Sequence, residues 1–496
     1  MSELPRLCSE LLARPGGTEV VEFEGKWYGW DDLCQLGDRL TDLLDASGVA
    51  ADAPVTFIPR NRPWAIAALF TLLSQGRTIR MVYAFQSPAG IIRDIERLAS
   101  PIVVAAAQEF EPEVVEAMQG FGYAGIALDE LAADAVPGLE TVNEKANINP
   151  AGEPRVEILT SGTTGPPKQF PVEYAMIEKL LAGGTTGNQQ ASDAASQPPM
   201  LLYMPIGNIS GIYSTIPTFL RGHRAVLHDR FSLAKWREFI ATYQPKISGL
   251  PPAGVQMVLD ADVPKEELAG LMAIGTGAAP LDPSVQRAFE DHYGIPILIS
   301  YGATEFGGPV TSTSLKDIEE FGNTKIGSVG RPIGGAQLRV TDAESGEELP
   351  LASEGILEVI SPRIGPDWIR TSDLAMIDED GFLYLRGRAD GAIIRGGFKI
   401  LPEAIERALL LHPDISAAGV VGVKDRRLGE VPGAAIQIKP GHDAPGPDAI
   451  ETHLREHVMA THIPVHWRFV DELPKTLSFK VHRPALCELF ADVAAD

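Results

Sequence analysis

Apolar positions along the chain first keep a mixed strand–helix rhythm and then, from about residue 335, a strand rhythm. Residues 4–14 have the spacing of a short helix, and Val20–Trp30 alternates about Gly25 as a hairpin. In Trp30–Ala46 the residues Leu33, Leu36, Leu40, Leu43 and Leu44 fall on one helical face. Val55–Ile58 has the length of a buried strand, and Pro63–Leu73 reads as an apolar helix. The alternation continues past Ile102–Ala106 and predicts a largely parallel sheet covered on both faces. Residues 130–153, rich in Ala, Pro, Gly and acids, read as a connector that leads into a strand at Val156–Leu159. A helix is expected near Tyr174–Ala182, and the polar stretch 184–198 is expected to be exposed. Leu201–Met204, Ala225–Leu227, Ile247–Leu250, Leu271–Ile274 and Ile295–Ser300 repeat the buried-strand pattern. Ligands of open α/β sheets sit beyond the carboxyl ends of strands, so chemistry is expected in the segments that follow these runs.

Beyond about residue 335, Gln337–Val340, Gly355–Ile360 and Leu374–Leu385 alternate with hairpin punctuation such as Asp380-Gly381. A smaller α+β piece follows Arg388. It is expected to contain a helix at Pro402–Leu411, strands at Ala418–Val423 and Ala434–Ile438, a helix at Asp448–Met459 and a strand at Trp467–Val470. The fold class is therefore α/β. A large N-terminal domain of doubly covered sheets, residues 1–388, ends in a β-rich subdomain at about 335–388, and a small α+β domain fills residues 389–496.

Composition narrows the functions. A chain of 496 residues exceeds one compact core. Acidic residues outnumber basic ones by 66 to 42, a net charge of −24, which disfavours a nucleic-acid polymer as partner. A nucleotide needs only a few local groups and stays allowed. Cys8, Cys34 and Cys487 show neither a zinc spacing nor a disulfide framework, which fits a reducing cytoplasm. No run approaches the roughly 18 apolar residues of a membrane helix. The first residues, Met-Ser-Glu-Leu-Pro-Arg, lack a signal-peptide pattern.

The densest chemistry is Ile158–Lys168, in which Thr160, Ser161, Gly162, Thr163, Thr164, Gly165 and Lys168 follow an apolar run. Its glycines permit a tight turn that presents N–H groups, its hydroxyls donate or reach a metal, and its lysine adds charge. The spacing differs from that of the ordinary phosphate loop. Tyr301-Gly302-Ala303-Thr304-Glu305 follows a strand, with a ring for stacking and a carboxylate suited to Mg²⁺. The glycine-rich Gly275–Pro280 would let backbone approach a ring, and Asp373 would accept from two ribose hydroxyls. Lys480 is one lysine among many. Taken singly, each of these also suits a turn or a solvated charge.

In this order, however, the segments resemble the superfamily of adenylate-forming enzymes that includes acyl- and aryl-CoA ligases, luciferases and adenylation domains. The resemblance runs from about residue 150 to 483 and includes Arg370–Leu374, Gly387–Asp390, Gly396–Glu403 and Leu473–Lys480. It implies an acyl-CoA synthetase that uses ATP, Mg²⁺ and coenzyme A on a small-molecule carboxylic acid. In it Thr160–Lys168 hold the β- and γ-phosphates, with Thr164 and Glu305 near Mg²⁺. Tyr301 and Gly277-Ala278-Ala279 flank adenine, and Asp373 and Arg388 hold ribose. Lys480 bridges the carboxylate and the α-phosphate. The C-terminal domain is expected to be mobile, turning at Asp390, with Gly396 and Gly397 along the path of the CoA thiol. Asn208, Ile209, Ile212 and Ala278 belong to the acyl pocket, whose surroundings (Ile206, Leu250, Val255) suit a fatty, aryl or polycyclic acid. Asn208 stands where many members carry histidine, Ser372 where glycine is frequent, and Gly391 where an acid or lysine is common. Phe479 replaces the glycine that usually precedes the terminal lysine. Loading of a carrier protein's pantetheine, and a weakly active ATP- or acyl-binding relative, stay open as alternatives. So does a homo-oligomer.

Overall fold

The computed structural model describes residues 2–14, 16–144, 146–160, 168–183, 197–395, 398–425, 428–476 and 481–493. The chain forms two compact units. One comprises Met1–Gly249, Asp262–Ile274 and Gly302–Gly308; the other comprises Leu250–Ala261, Gly275–Tyr301 and Pro309–Asp496.

The first unit carries a seven-stranded sheet. Its order is Ala132–Ala135, Ala124–Asp129, Ile102–Ala106, Val55–Ile58, Ile79–Met81, Arg155–Thr160 and Lys168–Glu173. The inner five strands are parallel and both edges are antiparallel. Val55–Ile58 and Ile102–Ala106 are buried throughout, as two covered faces require. The helix Pro63–Ser74 is buried along Pro63–Leu73, and Trp30–Ala46 turns Leu33, Leu36, Leu40 and Leu44 inward. Trp30, Phe70 and Phe219 meet edge to face at 5.8–6.2 Å, an arrangement that adds to simple area burial. A second sheet orders Met200–Leu202, Ala225–Leu227, Glu19–Phe23 and Lys26–Gly29, and includes the expected hairpin at Gly25.

Two features correct the sequence reading. The connector at 130–153 contains the edge strand Ala132–Ala135, paired back on Ala124–Asp129. The glycine-rich motif leads into the strand Lys168–Glu173 before the helix Tyr174–Gly183 begins. Pro171 argues against a strand in the sequence, but this one lies at the sheet's edge, where a missing N–H costs no ladder bond.

The second unit contains an antiparallel sheet of Gln337–Thr341, Glu354–Ile360, Ile369–Ile377 and Leu383–Arg388. The hairpin expected within Leu374–Leu385 at Asp380-Gly381 is present, with its turn at Asp378–Gly381 between the strands Ile369–Ile377 and Leu383–Arg388. A five-stranded sheet of Phe398–Ile400, Ile393–Arg395, Gly429–Ile438, Ile415–Asp425 and His466–Phe469 forms the C-terminal piece. Side-chain alternation splits its core in two. Val420, Ala434 and Ile436 pack with Ile405, Leu409 and Leu454, whereas Val421, Val423 and Ala435 pack with Leu473, Leu486 and Phe490.

Glu406, on the helix Pro402–Leu410, accepts the Val420 amide at 2.8 Å and lies 3.7 Å from Arg483. Burial pushes its carboxyl from 4.5 up to about 7, with Arg483 opposing the shift. A carboxyl raised in the folded state favours folding while protonated. That contribution is complete below 4.5 and is lost as the pH rises through about 7. Glu406→Gln keeps the acceptor for Val420 and cannot ionise. It is expected to melt with the parent at about pH 4.5 and above it at about pH 8. Thermal scans across that range test this, and a difference independent of pH would refute it.

Candidate active site

In the second unit, Gly277 lies so close to Ser300 of the strand Ile297–Ala303 that a Cβ there would sit 2.6 Å from Ser300 Oγ and 2.8 Å from its carbonyl oxygen. The neighbouring Ala278 has φ +66°, a left-handed conformation that costs energy for a residue with a side chain. Thr276 anchors this segment by donating to the Leu250 carbonyl at 2.7 Å. Gly277, Ala278 and Ala279 are half-buried. The Tyr301 hydroxyl donates to the Asp373 carboxylate across 72 positions of sequence. Asp373 lies opposite Arg388 in the antiparallel ladder, and Arg388 Nη2 donates to Ser372 Oγ. Sheet pairing joins Asp373 to Arg388, and the Tyr301 hydroxyl adds the third residue expected at the nucleoside. Asp390 follows in a single turn, Ala389–Gly391.

In the first unit, Gly302 and Ala303 end the strand Ile297–Ala303. Thr304 and the exposed Glu305 form one 3-10 turn after it. Thr160 ends its strand opposite Lys168, so the antiparallel pairing sets both ends of the glycine-rich segment. Asn208 occupies the N-cap position of the helix Ile209–Leu220 without a side-chain capping bond. Its backbone N–H donates to the Pro205 carbonyl at 3.0 Å. A Cβ on Gly211 would lie 1.9 Å from the Pro205 oxygen, so only glycine permits this turn. Asn61 holds the same region: its amide donates to the carbonyls of Met204 and His228, and its oxygen accepts the Ile206 amide, all at 3.0 Å.

Ile206, Ile212, Leu250 and Val255 are 0% exposed, so they offer a ligand no surface in this structure. Of the expected acyl residues, Asn208, Ile209 and Ala278 keep surface. Ser161, Gly162, Thr163, Thr164, Gly165, Gly396, Gly397 and Lys480 lie outside the described residues. The flanks of Lys480 are tied down. Lys475 bridges Val481, His482 N donates to the Pro474 carbonyl at 2.8 Å, and Arg483 pairs with Glu403 at 2.7 Å.

The sequence reading passed over one further cluster in the first unit. The guanidinium groups of Arg60 and Arg230 lie 4.5 and 4.2 Å from the centre of the Phe85 ring, and Tyr83 packs on Phe85 at 5.8 Å. Arg60 pairs with the buried Glu109, and Arg62 with Asp229 at 2.9 Å. Burial raises the Glu109 and Tyr83 pKa values, against the pull of Arg60 and Arg230 respectively. The available signal was position, since Arg60 and Arg62 follow the strand Val55–Ile58 and Arg230 follows Ala225–Leu227. Among the described residues no group of three or more His, Cys, Asp or Glu forms a metal cage. Mg²⁺ needs none, since one or two carboxylates and substrate phosphates hold it, and the exposed oxygen donors of Glu305 fit that role.

The family model for AMP-binding enzymes matches residues 9–366, and that for the AMP-binding enzyme C-terminal domain matches 404–480. A sulfoacetate–CoA ligase of Cupriavidus necator is 30% identical over 374 residues, 71% of this chain and 70% of that one. A 2-succinylbenzoate–CoA ligase of Bacillus pumilus is 27% identical, covering 97% of this chain and 96% of its own. The crystal structure of ATP-bound MatB from Rhodopseudomonas palustris superposes with a TM-score of 0.81 at 20% identity, covering all of both chains. The chain belongs to the AMP-binding enzyme family of adenylate-forming enzymes, and it is an AMP-forming acid–CoA ligase.

Asp373→Ala removes the acceptor that Tyr301 and a ribose would share. It is expected to raise the KM for ATP about tenfold or more in pyrophosphate exchange, and Tyr301→Phe to raise it less. An unchanged KM in Asp373→Ala would remove Asp373 from the nucleotide site.

Proposed function

We propose that this ligase activates an apolar carboxylic acid, aryl before fatty or polycyclic, with ATP and transfers it to free coenzyme A. The observation that carries the nucleotide assignment is the Tyr301–Asp373 hydrogen bond beside Arg388, which joins a flat ring to a ribose-binding carboxylate. In the first half-reaction a carboxylate oxygen attacks the α-phosphorus, the bond to the β-phosphate oxygen breaks, and pyrophosphate leaves. The acyl-adenylate remains. In the second, the thiol of CoA loses its proton to water and its sulfur attacks the acyl carbon, and AMP leaves with the acyl–oxygen bond electrons. Such transfers depend on clamping and charge neutralisation.

Thr160–Lys168 hold the departing pyrophosphate. Thr164 and Glu305 hold Mg²⁺, which when bound neutralises phosphate charge. Gly277–Ala279 and Tyr301–Thr304 flank adenine, and Asp373 and Arg388 take the ribose. Lys480 neutralises charge at the α-phosphate, then withdraws as residues 389–496 turn about Asp390 and bring Gly396 and Gly397 to the thiol.

Aromatic surface supports the aryl preference. The Tyr203 ring packs against Gly249 and against Phe231 at 5.6 Å, and the Tyr213 ring packs against Gly308. The acceptor reading rests on the Arg60–Phe85–Arg230 cluster, whose stacked cations suit the flat, anionic nucleotide end of CoA.

A panel of carboxylic acids, assayed for AMP formation with CoA, is expected to favour aryl acids over acetate and amino acids; preference for small polar acids would overturn the substrate class. Lys480→Ala is expected to abolish adenylate formation and to spare thioester formation from supplied acyl-adenylate. Equal loss of both would end that division. Arg230→Ala should raise the KM for CoA about tenfold and leave that for ATP alone.

A further inference from the structure

Arg80 and Glu157 are charged residues inside the seven-stranded sheet, with side chains 1% and 6% exposed. They face each other from adjacent parallel strands, Ile79–Met81 and Arg155–Thr160. Arg80 Nε donates to Glu157 Oε2 at 2.9 Å. Its remaining nitrogens donate to the carbonyls of Leu98 at 2.8 Å, Asn149 at 2.9 Å and Pro150 at 3.4 Å, and to Ser100 Oγ at 3.4 Å. Glu157 in turn accepts Arg155 Nε at 2.8 Å and Gln169 Nε2 at 3.0 Å. Gln169 belongs to the partner strand Lys168–Glu173.

One buried carboxylate therefore ties both strands of the hairpin to a neighbouring strand. The guanidinium fixes the backbone that enters the hairpin at Asn149 and Pro150. Glu157 stands three positions before Thr160, and Gln169 one after Lys168. Thr160 and Lys168 are themselves paired across the hairpin. Desolvation offsets most of a buried ion pair's attraction, so the pair itself adds little net stability; the carbonyls of Leu98, Asn149 and Pro150 nevertheless depend on Arg80 for their donor. The hydrogen bonds of this salt bridge are all satisfied in the observed register of the hairpin, and a one-residue slip would break them.

We propose that Arg80, Glu157 and Gln169 are positioning residues for ATP. They act through the hairpin whose ends, Thr160 and Lys168, bound the pyrophosphate-holding segment, and the inference rests on that functional reading. Arg80 alone is not a useful test site, since its loss strands a buried carboxylate and threatens folding. The double variant Arg80→Met/Glu157→Leu replaces the pair with apolar groups of similar size. Gln169→Leu cuts only the exposed arm of the network and keeps the test alive if the double variant fails to fold.

Three quantities are to be measured on the full chain: equilibrium binding of ATP, the KM for ATP in pyrophosphate exchange, and thioester formation from supplied acyl-adenylate with CoA. The double variant is expected to melt below the parent, because the carbonyls of Leu98, Asn149 and Pro150 lose their donor, and in its folded fraction to bind ATP about tenfold more weakly and raise its KM in step. Gln169→Leu should shift both about threefold. Thioester formation, which no longer needs pyrophosphate held, should stay within about twofold in both. Parent-like ATP affinity in both variants, with a parent that binds ATP, overturns the positioning role alone. So does a parallel fall of both half-reactions in step with the folded fraction. A parent that binds no ATP overturns the functional reading as well.

Discussion

Parallel pairing is the constraint on which the rest of this chain depends. Five neighbouring strands run the same way, so their carboxyl ends share one edge of the sheet. Pro59–Arg62, Val82–Phe85, Ala107–Glu109 and Thr160 all emerge there from separate parts of the sequence. The contacts of Arg60 with Phe85 and Glu109 follow from that geometry. Open α/β sheets bind ligands at this edge for the same reason: it is where polar loops from several strands converge without disturbing the buried ladder.

A net charge of −24 repels polyanionic substrates at long range. Screening resolves the conflict, because surface carboxylates more than about 10 Å away weaken sharply in physiological salt. What a substrate meets at short range is local. At Phe85 the guanidinium groups of Arg60 and Arg230 both lie against the ring, and of the two Arg60 is paired with the buried Glu109. Arg230 is exposed and stacked on a ring, so it stays available to a further anion. Overall acidity then governs solubility, and the strand edge governs recognition.

The periodicities made most elements legible, because burial on one face or two leaves its mark on every residue of a helix or strand. Pairing between distant segments leaves no such mark. Nothing local to Tyr301 or Asp373 announces that they share a hydrogen bond. Arg80 and Glu157 each read as one polar residue interrupting an apolar run. Lys168–Glu173 was hidden by Pro171, which only an edge position tolerates. Ile206, Ile212, Leu250 and Val255 expose a different limit. Apolar character at a pocket's expected wall does not separate residues that touch a ligand from those that support the wall, and these four have no surface at all. The polar neighbour Asn61 is more informative, since its side-chain hydrogen bonds reveal which backbone has to be held.

The two kinds of charge in the first unit divide the work. Arg80 and Glu157 are shut away from solvent and saturated with partners, so they cannot take part in a reaction that needs water or substrate at their atoms. Glu305 and Arg230 are exposed and can. A buried pair contributes little net stability but has one low-energy geometry, which suits it to fixing a backbone. Exposed groups have many geometries and gain one only when a ligand arrives. An adenylating enzyme needs both. Pyrophosphate must be held at a fixed place while it leaves, and that place has to be set by atoms that do not themselves respond to its charge.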